Sequence, residues 1–281
     1  MTDRMTTSQQ DRAHEFHALH AGPEVLALAN AWDAASAAVS VAAGVRAVAT
    51  TSAGVAWSLG APDGDALSRD HAVDLIARVV SAVDVPVTAD IESGFGTTAA
   101  DVAETIRAVL AAGAVGVNIE DSHANATGPL RPIAEQAERY TAARAAADEA
   151  GIALYLNART DTYLRGVGDE ADRFRATVDR ANAYLAAGAS GIFVPGLVDL
   201  EVISRLAKEI PAPLNIMIHP GAPSIGQLRT AGVARASLGA AIAQAAYALT
   251  RRATEELLTA GTYDTVTESM TWVELNGLLR R

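Results

Sequence analysis

The residues able to do chemistry stand where short apolar runs give way to polar loops. Asp90 and Glu92 open the stretch Asp90-Ile91-Glu92-Ser93-Gly94-Phe95-Gly96, Glu120 and Asp121 close another run, and Arg159-Thr160-Asp161 close a third. Trp32 follows the first run, His219 follows a later one, and Asn215 lies inside that later run. Carboxylates gathered at one end of an apolar scaffold repel one another, and burial sharpens the repulsion. A divalent cation relieves it, and oxygen ligands in a chain with no cysteine favour Mg²⁺, with Mn²⁺ as the substitute. Asp90 and Glu120 are the expected metal ligands, with Glu92 supported by the glycine-rich turn that follows it. Arg159 suits a bidentate clamp on a substrate carboxylate. Asp121 and Asp161 read as capping or surface charges, Asp161 as a partner that orients Arg159. His14, His17 and His20, three apart, read as a solvated face rather than a metal site.

These side chains need a scaffold that brings separate run ends together. Four times a helical stretch closes on Ala-Gly and an apolar run follows, at Ala43-Gly44, Ala112-Gly113, Ala187-Gly188 and Ala231-Gly232. Glycine just past a helix accepts the left-handed conformation cheaply, and a β-branched run after it reads as a buried parallel strand. Eight such runs are expected: 25–29, 47–51, 85–89, 116–119, 153–157, 191–194, 214–217 and 233–237. Helices are expected over 70–82, 98–112, 133–150, 169–187 and 200–208. Eight βα units predict an α/β fold of the eight-stranded (β/α)₈ TIM-barrel type, with an open doubly wound sheet as the alternative. Catalytic groups of such a barrel sit at the C-terminal ends of its strands.

The chain reads as a single barrel domain over 1–281, with an N-terminal segment (1–22) and a C-terminal docking segment (262–281). That last stretch carries Met270, Trp272, Val273, Leu275, Leu278 and Leu279, too much apolar surface for a frayed end. A net charge of -11 makes nucleic acid and anionic membranes poor partners. No apolar run reaches the ~20 residues needed to cross a bilayer, and no signal peptide is legible, so a cytoplasmic home is expected. The only lysine, Lys208, lies in a polar helical stretch and reads as solvated.

Taken together, Ser52-Ala53-Gly54-Val55, Leu59-Gly60-Ala61-Pro62-Asp63, Pro86 through Gly96, Val117-Asn118-Ile119-Glu120-Asp121 and Asn157-Ala158-Arg159-Thr160-Asp161 resemble the isocitrate lyase / phosphoenolpyruvate mutase superfamily. The resemblance runs from about Val25 to Thr250. It implies a (β/α)₈ barrel whose last helix is swapped between subunits of a homodimer or homotetramer. It also implies Mg²⁺ near Asp90, with Asp63, Glu92 and Glu120 in the metal shell. Ser52, the backbone of Ala53 and Gly54, and Arg159 would hold a small oxo-acid or its enolate, with Trp32, Asp63 and Asn215 also counted as substrate-binding.

One stretch departs from the family. Isocitrate and methylisocitrate lyases carry a Lys-Lys/Arg-Cys-Gly-His loop after the fourth strand, whose cysteine is the acid/base, whereas this chain has Ser122-His123-Ala124-Asn125-Ala126-Thr127-Gly128-Pro129-Leu130. The cysteine mechanism is therefore excluded. Phosphoenolpyruvate mutase has a Lys-x-Asn-Ser type loop there; Asn125 can match the asparagine, but the lysine is missing. The expected activity is a metal-dependent lyase cleaving a C–C bond of a small 2-oxo or 2-hydroxy carboxylate, oxaloacetate decarboxylase-like or methylisocitrate lyase-like, with His123 or His219 as acid. The alternatives are an enzyme of P–C bonds of the phosphonopyruvate type and a catalytically silent ligand-binding barrel.

Overall fold

In the computed structural model, which describes residues 2–123 and 130–280, nine short strands form one parallel sheet. They are β1 (Leu26–Leu28), β2 (Asn30–Ala31), β3 (Val48–Thr50), β4 (Val87–Asp90), β5 (Gly116–Glu120), β6 (Tyr155–Arg159), β7 (Gly191–Val194), β8 (Leu214–Met217) and β9 (Arg235–Ser237). Their order is β1-β9-β8-β7-β6-β5-β4-β3-β2. The two ends of that order are halves of one run. β1 pairs with β9 (Leu26 opposite Arg235), and β2 pairs with β3 (Asn30 opposite Ala49). The run predicted over 25–29 thus changes partner near Ala29, and the sheet returns to itself as an eight-fold barrel. The expected α/β barrel is the observed fold, and the open sheet is excluded.

The helices are α1 (Thr2–Ala21), α2 (Ala34–Ala42), α3 (Ser52–Ser58), α4 (Arg69–Ala82), α5 (Ala99–Ala111), α6 (Ile133–Glu149), α7 (Glu170–Ala186), α8 (Leu200–Glu209), α9 (Ile225–Thr230), α10 (Ala241–Thr259) and α11 (Trp272–Leu279). The four Ala-Gly junctions behave as expected: Gly44, Gly113, Gly188 and Gly232 all take positive φ, between 90° and 100°. The outward faces of the strands, including Val117, Ile119, Leu156, Ile192, Val194 and Ile216, pack under the helices in the main core. Alternation then turns Thr88, Asp90, Asn118, Glu120, Asn157, Arg159 and Asn215 toward the barrel axis. This interior is polar, where barrels of this kind are ordinarily filled with Val, Ile and Leu.

The N-terminal segment contains a long helix, α1, that closes the bottom of the barrel. Phe16 and His20 pack against Tyr155, the first residue of β6, at ring separations of 5.4 and 3.9 Å. Gly116 lets this helix approach, since a Cβ there would lie 2.8 Å from the Phe16 ring. Of the solvated histidine face expected at 14, 17 and 20, only His14 is exposed, and the reading is corrected for the other two. His20 is buried, and His17 bonds the Ala153 carbonyl at 3.1 Å, because the helix lies against the barrel floor.

Candidate active site

Two strand tips build the acidic centre. Asp90 ends β4, its N–H donating to Thr50 Oγ1 at 2.9 Å and its Oδ1 accepting from Glu92 N at 3.1 Å. That bond folds the chain back so sharply that Glu92 takes φ +51° and Phe95 φ +51°, a conformation side-chain-bearing residues rarely adopt. The turn is held from outside. Buried Arg139 on α6 donates to the carbonyls of Ser93, Gly96 (3.2 Å) and Thr98 (3.3 Å). A Cβ at Gly96 would fall 2.2 Å from the Asp101 side chain, so only glycine fits there. Glu92 is buried and accepts from the N–H groups of Gly64 (2.9 Å) and Asp65, while Asp65 accepts from Ser93. These bonds join the loop carrying Asp63, which is exposed, to the acidic turn.

Glu120 ends β5 beside Arg159, which ends β6 in direct register. Arg159 Nη1 meets Glu120 Oε2 at 2.7 Å, while its Nε and Nη2 grip Asp161 at 2.7 and 3.1 Å. Asp161 thus orients Arg159, and Ser122 Oγ supports it at 2.7 Å. Asp121 is no surface charge. It is fully buried and accepts from Asp161 N, Arg180 Nη1 and Tyr184 OH, tying β5, β6 and α7 together.

The electrostatics follow from this crowding. Burial raises Asp90 above the ordinary carboxylate range, with Arg159 pulling it back and Asp63 and Asp161 adding to the rise. Burial lifts Glu92 to about 7, with Asp65, Asp90 and Asp63 contributing. Glu120 is pushed up by burial and by Asp161 and Asp90, against the pull of Arg159. Burial opposes the charge on Arg159, but Glu120, Asp161 and Asp90 hold it well above its usual value. Among the described residues no three acidic or histidine groups already stand at mutual metal-ligand distance. The reason is visible in the bonding: Glu92 is held by backbone amides and Glu120 by Arg159.

The other sequence candidates are placed around this centre or beneath it. Ser52 opens α3 after Thr51, whose side chain makes no capping bond, leaving the first-turn N–H groups of Ser52, Ala53 and Gly54 without intrahelical partners. Gly54 is pressed against Trp32, whose Cβ would be 2.8 Å from a Cβ at 54. His219 is exposed, its Nδ1 3.0 Å from the Pro220 carbonyl. His123 is half-buried next to Ser122, and Asn125 lies outside the described residues. Asn215 is buried, its Oδ1 accepting from Asn157 Nδ2 at 3.1 Å and its own Nδ2 donating to Ser237 Oγ at 3.2 Å. Sequence reading passed over Arg139, because nothing in helix periodicity marks a buried arginine aimed at a distant turn.

Comparison with known proteins gives a consistent picture. The profile described as phosphoenolpyruvate phosphomutase matches residues 16–258. An uncharacterized protein of Mycobacterium tuberculosis is 36% identical over 225 residues, covering 80% of this chain and 81% of its own. The 2-methylisocitrate lyase of Salmonella typhimurium is 31% identical, covering 79% and 76%. The oxaloacetate decarboxylase of Chromohalobacter salexigens is 30% identical, covering 76% and 73%. Among solved structures, a protein of Burkholderia cenocepacia provisionally assigned as a lyase/mutase superposes with a TM-score of 0.89 at 38% identity, covering 96% of each chain.

Proposed function

This chain belongs to the phosphoenolpyruvate mutase family, a group of lyases and mutases within the isocitrate lyase / phosphoenolpyruvate mutase superfamily, and from that premise we propose that it is a divalent-metal-dependent lyase. Its substrate is a small 2-oxo or 2-hydroxy carboxylate, whose C–C bond is cleaved through an enolate. The observation that carries this reading is the meeting of Asp90, Glu120 and Arg159 on three neighbouring strand tips.

The donor set fits a hard cation. The groups are all carboxylate oxygens, and Asp90, half-buried and raised, forms no ion pair among the described residues. Asp90 would hold Mg²⁺ or Mn²⁺, with Glu92, Glu120 and Asp63 directly or through water. Bound there, the ion supplies Lewis-acid polarisation of the substrate's oxo group. Arg159, fixed from behind by Asp161, presents its remaining Nη1 to the substrate once Glu120 releases it. The open amides of Ser52, Ala53 and Gly54 suit a carboxylate, and Trp32 packs against that turn. His123 or His219 is the proton donor in this reading, and Asn215 positions the barrel amides rather than touching substrate.

Turnover of oxaloacetate that EDTA abolishes and Mg²⁺ restores supports the reading; no EDTA-sensitive turnover across a panel of 2-oxo and 2-hydroxy acids sinks it. The phosphonate alternative asks for a mouth lysine, and the single lysine is exposed at the end of α8. Phosphonopyruvate turnover in the same assay decides between the two. The C-terminal segment completes the proposal: α11 has no buried residue, and Trp272 and Val273 are 71% and 72% exposed, so a second copy is the partner we assign to it, by exchange of the last helix.

A further inference from the structure

The barrel interior holds a charge that the site described above does not use. Arg235, the first residue of β9, is 1% exposed. Its Nη2 donates to Asn118 Oδ1 on β5 at 3.4 Å. β9 and β5 stand on opposite walls of the barrel, so the guanidinium crosses the axis. Its Nε and Nη1 have no hydrogen-bond partner, and among the described residues it forms no ion pair. Burial lowers its pKa only to about 10, so it is a cation at neutral pH.

Such a group is expensive to keep. A buried unpaired charge with unmade hydrogen bonds costs several kcal/mol, and an apolar side chain of similar length would relieve it. Features of that kind persist where they serve a site. Arg235 is also connected to the mouth. A guanidinium only donates, so it fixes the Asn118 amide with its oxygen inward. That oxygen also accepts from Asn157 Nδ2 at 2.8 Å, and Asn157 donates onward to Asn215. Asn118 pairs in register with Asp90, and Asp90 is among the charges acting on Arg235.

The contrast with Arg159 decides what this charge is for. Arg159 is neutralised by two carboxylates, Glu120 and Asp161, and so contributes little net field. Arg235 has no such partner. We propose that Arg235 is an electrostatic positioning residue, a fixed positive charge beneath the mouth that favours the anionic oxo-acid ligand and the negative charge of its enolate. The identity of that ligand rests on the function proposed above.

The test uses the full-length protein with Mg²⁺ and oxalate, an enolate mimic, in calorimetric titrations. Arg235→Gln and Arg235→Met should each weaken oxalate by about tenfold or more, whereas Arg235→Lys stays within about threefold. Mn²⁺ affinity without oxalate, read by electron paramagnetic resonance, should be unchanged or tighter in the Gln and Met variants. Their urea midpoints should match or exceed the parent's. The charge itself has an independent readout: burial and, after it, Arg235 hold the His20 imidazole down, so NMR titration should find His20 partly raised in Gln and Met but not in Lys. Oxalate binding by Arg235→Gln equal to the parent's, or a loss in Arg235→Lys as large as in Arg235→Gln, overturns the proposal. If Arg235→Met fails to fold, the Gln and Lys pair decides alone. If the parent itself takes no oxalate, the reading of the site falls and this role with it; if the parent binds and the variants match it, only this role falls.

Discussion

Asp90 and Arg159 each sit half-buried at a strand tip with the backbone fixed by neighbouring strands. Asp90→Ala should abolish Mg²⁺ binding in calorimetry and cut turnover by about a hundredfold or more, with the far-ultraviolet circular dichroism unchanged. Survival of metal binding in that variant ends the metal assignment. Arg159→Lys keeps the charge but cannot grip Asp161 and face Glu120 at once, since both contacts use the planar fork. We expect kcat/KM to fall about a hundredfold, and Asp161→Asn to show a smaller loss of the same kind because the fork is then less well oriented. Equal activity of Arg159→Lys and the parent would argue against a bidentate clamp.

At the scale of elements, the β4 turn and α1 make separate predictions. Arg139 satisfies three carbonyls of a turn whose Glu92 and Phe95 sit at positive φ. Arg139→Met should cost about 1–3 kcal/mol in urea unfolding, because the buried Ser93 carbonyl is left unpaired, and it should weaken metal through Glu92. Helix α1 sets the acid behaviour. Burial first, then Arg235, lowers His20 to about 3 from an ordinary 6.5. The unfolded chain therefore binds a proton near 6.5 that the folded chain refuses until about 3. This contribution is whole above 6.5, falls as pH drops toward 3, and is flat below. Between pH 7 and pH 5 it amounts to about 2 kcal/mol, and His20→Gln should remove that part of the acid loss in urea melts at the two pH values. An unchanged pH dependence would place His20 in water rather than under the barrel.

For the whole molecule, the exposed apolar stripe is the property that a single chain does not explain. Leu257, Leu258, Trp272 and Val273 all show more than half of their surface. Among the described residues no helix is long and apolar enough to cross a membrane, so a bilayer-spanning role does not account for it. Assembly of two or four copies through the C-terminal segment, as proposed above, would cover it. Trp272→Asp with Val273→Asp should shift the mass measured by light scattering toward one chain; the same mass in parent and variant at all concentrations would refute the exchange.

The barrel and the identity of its mouth residues were legible because they depend on local rules. Glycine after a helix fixes each junction, β-branched runs fix each strand, and chain order alone places Asp90, Glu120 and Arg159 at successive tips. The nature of Asp121, His17 and His20 was not legible, since an acidic or imidazole side chain looks the same in sequence whether water or Arg180 or Tyr155 surrounds it, whereas Asp161, two residues from Arg159, was legible as its partner. Asn118, Asn157, Asn215 and Arg235 are separated by tens of residues and meet only when the sheet closes. Sequence alone determined the strands, their order and the acids at their ends. Tertiary structure decided which charges are neutralised and which stand alone, because that depends on distances across a barrel interior that no spacing along the chain encodes.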